Sequence, residues 1–279
     1  MTCALIIEGG AMRSVFSAGL LDGFLQRDFN PFDCYIGVSA GASNLAMFLA
    51  GEQSRSLQFF IQLAGRKDFI SPIRFLRGGH LLDLDMLMAA IMAEKIDLAA
   101  IFRNKKPFLV CTTDVENGKP NYFETNASML LDALKASMAL PLIYRKFPVL
   151  NGRASVDGGM SDAVPVAEMI RRGATRLMVV RSRPAAFIRK DSWGHRYIRW
   201  QLRDYPLLVH AMQQRVERHR QVNRIIARPP PGIEIVDICP PAHFRMGRFA
   251  SDQQQVLLGY HAGLSMADDA ISQWSRAAT

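Results

Sequence analysis

The stretch that most restricts the fold of this chain is Gly37-Val38-Ser39-Ala40-Gly41, set between the apolar run Cys34-Tyr35-Ile36 and the helical run Ala42-Ser43-Asn44-Leu45-Ala46-Met47. A serine on a tight strand-to-helix turn sits in a strained backbone conformation, and flanking glycines let strand and helix backbones approach closely. Its hydroxyl then projects from the sheet edge toward a helix N-terminus, whose free amides and dipole can stabilise a developing oxyanion. The pentapeptide alone also fits a glycine-rich turn in which Ser39 is an ordinary helix cap.

The rest of the chain supplies the setting that such a turn needs. Apolar runs of strand length occur at Cys3 to Ile7, Cys34 to Gly37, Phe108 to Thr112, Ala154 to Val156, Leu177 to Val180 and Ile233 to Ile238, with Asn121 to Glu124 as a further candidate. Segments of helical period follow most of them: Met12 to Gln26, Ala40 to Ala50, Leu84 to Ala93, Ser128 to Ser137, Val164 to Arg171, Leu207 to Ala227 and Ser251 to Trp274. This alternation predicts an α/β fold with a mostly parallel sheet flanked by helices. At 279 residues, 49% apolar, the chain can bury a sizeable core, and one domain over residues 1–279 is expected. Arg228-Pro229-Pro230-Pro231-Gly232 must end the helix before it, because proline lacks the amide donor and clashes with the preceding turn.

Two more glycine turns close candidate strands. Glu8-Gly9-Gly10-Ala11-Met12-Arg13-Ser14 follows the first and exposes successive amides, a cradle for either a phosphate or an oxyanion. The three glycine positions of a dinucleotide fingerprint are missing, as is the Lys-Ser/Thr pair of a phosphate loop, which argues against a nucleotide. Val156-Asp157-Gly158-Gly159 ends another run, ahead of a helix that Pro165 would open; by itself it is also a common turn sequence. Together the three turns offer a nucleophile, a base and an oxyanion site, the parts that a serine ester hydrolase requires.

In order and spacing these blocks resemble the patatin-like phospholipase family: a glycine-rich oxyanion loop with Arg or Lys, a Gly-x-Ser-x-Gly elbow, then Asp-Gly-Gly or Asp-Gly-Ala. Ala136-Ser137-Met138-Ala139-Leu140-Pro141 resembles the segment before the aspartate strand, so the likeness spans roughly residues 3–166. It implies a three-layer α/β/α fold and a serine lipid acyl hydrolase of phospholipase A or lysophospholipase type. By the same resemblance Ser39 is the nucleophile and Asp157 its general base. The amides around Gly9, Gly10 and Ala11 bind the oxyanion with Arg13 nearby, and Gly37, Gly41, Gly158 and Gly159 shape the turns. No cofactor, metal or histidine is implied. Ala11 stands where a third glycine is usual, and Ser14 where a glycine usually follows the basic residue. If position 11 needs a positive φ, alanine costs about 1 kcal/mol or more. Two other readings compete: an α/β-hydrolase triad completed by His195, His210, His219, His243 or His261, and a catalytically silent lipid-binding protein of the same fold.

The net charge is +9, and residues 181–228 carry all of it, with 12 Lys and Arg against 3 Asp and Glu. Phe187, Trp193, Tyr197, Trp200 and Tyr205 are interleaved there, which suits an anionic membrane surface; nucleic acid is not the expected partner. In that reading one helix face packs on the core while Arg215, Arg218, Arg220, Arg224 and Arg228 reach outward toward the anionic surface; a solvated basic helix face is the plainer account. The cysteines at 3, 34, 111 and 239 have neither zinc-site spacing nor disulfide-scaffold density and read as reduced core residues. Asp83 and Asp85 read as helix caps rather than metal ligands. Neither a leader peptide nor an apolar span of membrane length is visible, so a cytoplasmic protein, peripheral to the membrane at most, is expected.

Overall fold

A computed structural model describes residues 1–66, 71–93, 96–141, 143–189 and 198–276. Its eight-stranded sheet comprises β1 (Cys3–Ile7), β2 (Cys34–Val38), β3 (Phe108–Asp114), β4 (Pro120–Glu124), β5 (Val149–Leu150), β6 (Arg153–Asp157), β7 (Arg176–Val180) and β8 (Glu234–Ile238). The order is β5-β6-β3-β2-β1-β7-β8, with β4 paired to β3 off this path. From β3 to β8 along that path all pairings are parallel; β4, β5 and β6 pair antiparallel.

Alternation along β1 explains the three layers, since successive side chains of a strand face opposite sides of the sheet. Leu5 and Ile7 join a core with Phe16, Leu20, Leu45 and Trp274, whereas Ala4 and Ile6 join a second with Val166, Met169, Leu177 and Val179. The first core is covered by α1 (Val15–Leu25), α2 (Ala40–Ala50) and the C-terminal helix Ala267–Arg276; helices Val166–Arg171 and Arg215–Ala227 cover the second. Central strands buried on both faces read as continuous apolar runs, as parallel strands do. The chain therefore has the α/β fold with a mostly parallel sheet and helices on both sides.

Three long helical segments are subdivided. Residues 11–14 form a 3-10 turn ahead of α1, because Ala11 has φ +50° and cannot continue an α-helix backward. Residues 206–227 are two helices, Pro206–Gln213 and Arg215–Ala227, meeting at Gln214, whose ψ of −9° departs from α geometry. Gln253–Ser265 and Ala267–Arg276 meet likewise at Met266, with ψ −1°. The prolines after Arg228 end the helix as read, and the chain turns into β8. Helix α3 (Arg55–Gly65) is not among the helices expected from the sequence, although Leu57, Phe60, Ile61 and Ala64 recur at helical spacing and pack with Val256 and Tyr260 of Gln253–Ser265.

Register on β3 matters most for the site. Val38 of β2 lies opposite Cys111, and Asp157 of β6 lies opposite the next residue, Thr112. Because β4 fills the other edge of β3, β2 and β6 share one edge and run toward each other. Their C-terminal ends meet between Cys111 and Thr112.

Candidate active site

Ser39 occupies the turn between β2 and α2 with φ +54° and ψ −133°, a conformation costly for any residue with a Cβ. Close packing over-determines it. A Cβ on Gly37 would lie 2.4 Å from the Ala42 Cα, and one on Gly41 2.6 Å from the Ile7 carbonyl oxygen, so helix and strand could not meet as they do with larger residues. The Ser39 amide donates to Ser137 Oγ at 2.7 Å, and the Ser137 hydroxyl donates to the Cys111 carbonyl at 2.6 Å. Ser137 thus ties the elbow to β3.

Asp157 is buried at the end of β6, and its Oδ1 accepts the Gly159 amide at 2.7 Å. Burial raises its proton affinity; the Ser39 hydroxyl, the Gly159 amide and then the charges of Arg248 and Arg215 pull it back. Gly158 passes close to β3, where a Cβ would lie 2.3 Å from the Cys111 carbonyl oxygen. The Asp157 amide donates to the Ala139 carbonyl at 3.0 Å. Residues 136–141 therefore bridge Ser39 and Asp157 through Ser137 and Ala139.

The loop after β1 lies directly on the elbow: a Cβ at Gly9 would come within 2.5 Å of the Val38 carbonyl oxygen and 2.8 Å of Ser39 Cβ. Among the described residues the amides of Gly9, Gly10 and Ala11 donate to no protein acceptor, while that of Arg13 returns to the Gly10 carbonyl. Ala11 adopts the positive φ that makes its side chain costly. Ser14, with φ −70°, needs no glycine, and its carbonyl anchors Asn44 of α2 at 2.7 Å. Arg13 is buried beside these groups.

An apolar cavity of about 490 Å³ opens from Ser39 between Met12, Phe60, Leu87, Met138 and Phe249. A second, polar cleft contains Ser39, Asp157, Glu8 and four arginines: Arg13, Arg189, Arg215 and Arg248. The last three were missed as site residues, and no local motif could have found them, because they converge from separate loops and a helix start. Two arginines of the helix Arg215–Ala227 correct the expected outward basic face. Arg215 turns its guanidinium into the cleft, and Arg218 donates to the Ser161 and Ala211 carbonyls at 2.8 and 3.1 Å. Only Arg220, Arg224 and Arg228 of that series are exposed.

No described histidine lines either cavity. His210, His243 and His261 are exposed, His219 packs on Phe187 and contacts Asn223, and His195, with Trp193 and Tyr197, lies outside the described residues. Asp83 caps its helix by accepting the Met86 amide, whereas Asp85 instead pairs with Lys135 and Tyr144. Among the described residues no group of His, Cys, Asp and Glu is arranged to hold a metal, and no helix is long and apolar enough to cross a membrane.

Residues 5–170 match the family model for patatin-like phospholipase. This chain belongs to the patatin-like phospholipase family. Residues 205–278 of this patatin-like chain match a further model, a domain of unknown function (DUF6363). The chain is 38% identical over 244 residues to the uncharacterized protein YjjU of Escherichia coli K12, covering 85% of this chain and 68% of that one. A structural comparison with VipD from Legionella pneumophila gives a TM-score of 0.44 at 11% identity, over 98% of this chain and 67% of the other. Membership in this family suggests a lipid acyl hydrolase.

Proposed function

We propose that this protein hydrolyses acyl esters of lipids with Ser39 as nucleophile and Asp157 as general base, in the manner of a phospholipase A or lysophospholipase. The observation that carries the reading is the meeting of β2 and β6 on β3, which sets a strained serine against a buried carboxylate beneath a loop of unengaged amides. An acyl chain in the apolar cavity would bring its carbonyl to Ser39 Oγ. As Oγ attacks the carbonyl carbon, Asp157 takes the hydroxyl proton and the amides of Gly9, Gly10 and Ala11 receive the charge forming on oxygen. Collapse of the tetrahedral adduct releases the alcohol, which carries away the proton from Asp157. Water then attacks the acyl-serine, losing a proton to Asp157, which passes it to Ser39 Oγ as the fatty acid leaves and the free dyad is restored. The exposed arginines of Arg215–Ala227 would hold the protein at anionic membrane surfaces.

The test is labelling by a fluorophosphonate together with ester turnover by Ser39→Ala, Asp157→Asn and the double variant. Each single change should cost about a thousandfold or more, and the double variant should be little worse, because the pair acts as a unit. An unlabelled wild-type protein would favour the catalytically silent reading. Near-normal turnover by Asp157→Asn would remove the dyad.

A further inference from the structure

The polar cleft at Ser39 holds more positive charge than its own carboxylates balance. Arg13 comes from the turn after β1, Arg189 from the chain beyond β7, Arg215 from the start of a helix, and Arg248 from the loop before Gln253–Ser265. Arg13 is only 6% exposed, and the Nε atoms of Arg13 and Arg215 are buried without a hydrogen-bond partner. Among the described residues Arg13, Arg215 and Arg248 have no carboxylate within ion-pair distance. Glu8 is occupied by the Ser182 amide at 2.8 Å, by Arg181 at 3.7 Å and by Arg189 at 4.0 Å, and Asp157 by Gly159 and Ser39. Burial, then the neighbouring guanidiniums, depress the proton affinity of Arg13 and of Arg215, so the cluster repels itself. Buried like charges without partners are costly, and removing that cost takes an anion.

Position says what kind of anion. Ser39, Ala11, Leu140 and Arg248 line both this cleft and the apolar cavity, so an ester at Ser39 has hydrocarbon on one side and guanidiniums on the other. Guanidinium forks match the oxygens of a phosphate. The cleft offers a quaternary ammonium neither an aromatic face nor an unengaged carboxylate among its described lining residues, which disfavours a choline headgroup. We infer that the cleft is a headgroup subsite for a phosphate monoester, and that Arg189, Arg215 and Arg248 select acyl esters of glycerol phosphate over zwitterionic or neutral esters. This rests on the hydrolase reading above and assigns its substrate class.

The test compares kcat/KM of the full chain on three soluble short-chain esters with one acyl group: an acyl glycerol phosphate, its phosphocholine diester and the monoacylglycerol. The phosphate monoester should be preferred over the neutral ester by about tenfold or more. In Arg189→Gln, Arg215→Gln and their combination, the loss on the phosphate ester should exceed the loss on the neutral one, closing most of that gap. Equal wild-type rates on the three esters, or equal proportional losses, would overturn the assignment. Binding to Ser39→Ala by calorimetry keeps it separate from turnover. Tighter binding of acyl glycerol phosphate than of monoacylglycerol supports the subsite even if no ester is cleaved, an outcome that would sink the hydrolase reading alone. Inorganic phosphate binding as tightly as the acyl ester would make this a free-phosphate site and refute the headgroup assignment.

Discussion

At the scale of single residues the site stores strain in two places, Ser39 and Ala11, both at positive φ. Ser39 cannot be relieved without losing its hydroxyl, but Ala11 can. Ala11→Gly should stabilise the fold by about 0.5–1 kcal/mol, the relief of the left-handed alanine less the entropy that glycine adds to the unfolded chain, with turnover retained. A denaturant midpoint that is unchanged or lower would show that position 11 is held without cost. Asp157 must be ionised to accept a proton, and burial pushes its pKa above the ordinary carboxylate value of about 3.9. The acid limb of kcat/KM should therefore lie above that value, activity falling as pH drops through it. Arg215→Gln removes a charge that favours the ionised form and should move the limb further up. A wild-type limb at or below the ordinary carboxylate range would exclude Asp157 as the base.

At the scale of elements the site depends on α1 and Gln253–Ser265, neither of which lines it. α1 crosses Gln253–Ser265 so closely that a Cβ on Gly263 would lie 1.9 Å from the Phe16 carbonyl oxygen, and one on Gly19 1.9 Å from that of Tyr260. Tyr260 also donates to the buried Asp22 at 2.7 Å, and Asp22 accepts the Ser54 amide at 3.0 Å just before α3. Through this contact the C-terminal segment fixes α1 and α3, and α3 supplies Phe60 and Leu63 to the apolar cavity. Gly263→Ala should destabilise by about 1–3 kcal/mol from overpacking, partly offset by about 1 kcal/mol of helix propensity. Thermal unfolding reads this directly: the melting temperature should fall by several degrees, and a rise would mean that the helices slide apart without penalty.

Across the whole molecule the charge of residues 181–228 divides between inside and outside. Arg181 is buried against Glu8 and Asp237, and Arg189 and Arg215 enter the cleft, while Arg203, beside the exposed Trp200, and Arg220, Arg224 and Arg228 face solvent. Only the outer group can meet a membrane surface, each arginine contributing about 1 kcal/mol near anionic lipid at low salt. Changing Arg220, Arg224 and Arg228 together to Gln should weaken binding to anionic vesicles at low ionic strength, and salt should erase the difference. Sedimentation with vesicles checks it; equal binding by variant and wild type would leave these arginines as a solvated helix face.

The sequence by itself determined the strand and helix alternation and the three glycine turns at strand ends. Those signals are local: hydrophobic period, proline and glycine geometry, and a serine whose neighbours must be small. It also flagged residues 136–141, though not that Ser137 and Ala139 hold the two turns in place. It could not show that β6 runs antiparallel against the free remainder of the β3 edge, since register depends on which strand fills each edge, and edges are filled by segments far apart in sequence. Nor could it separate Arg215 from Arg220, which look alike in a basic helix. Which of them faces the cleft depends on how the helix start packs, and the cleft exists only once residues 157 and 215 come to line it from distant parts of the chain.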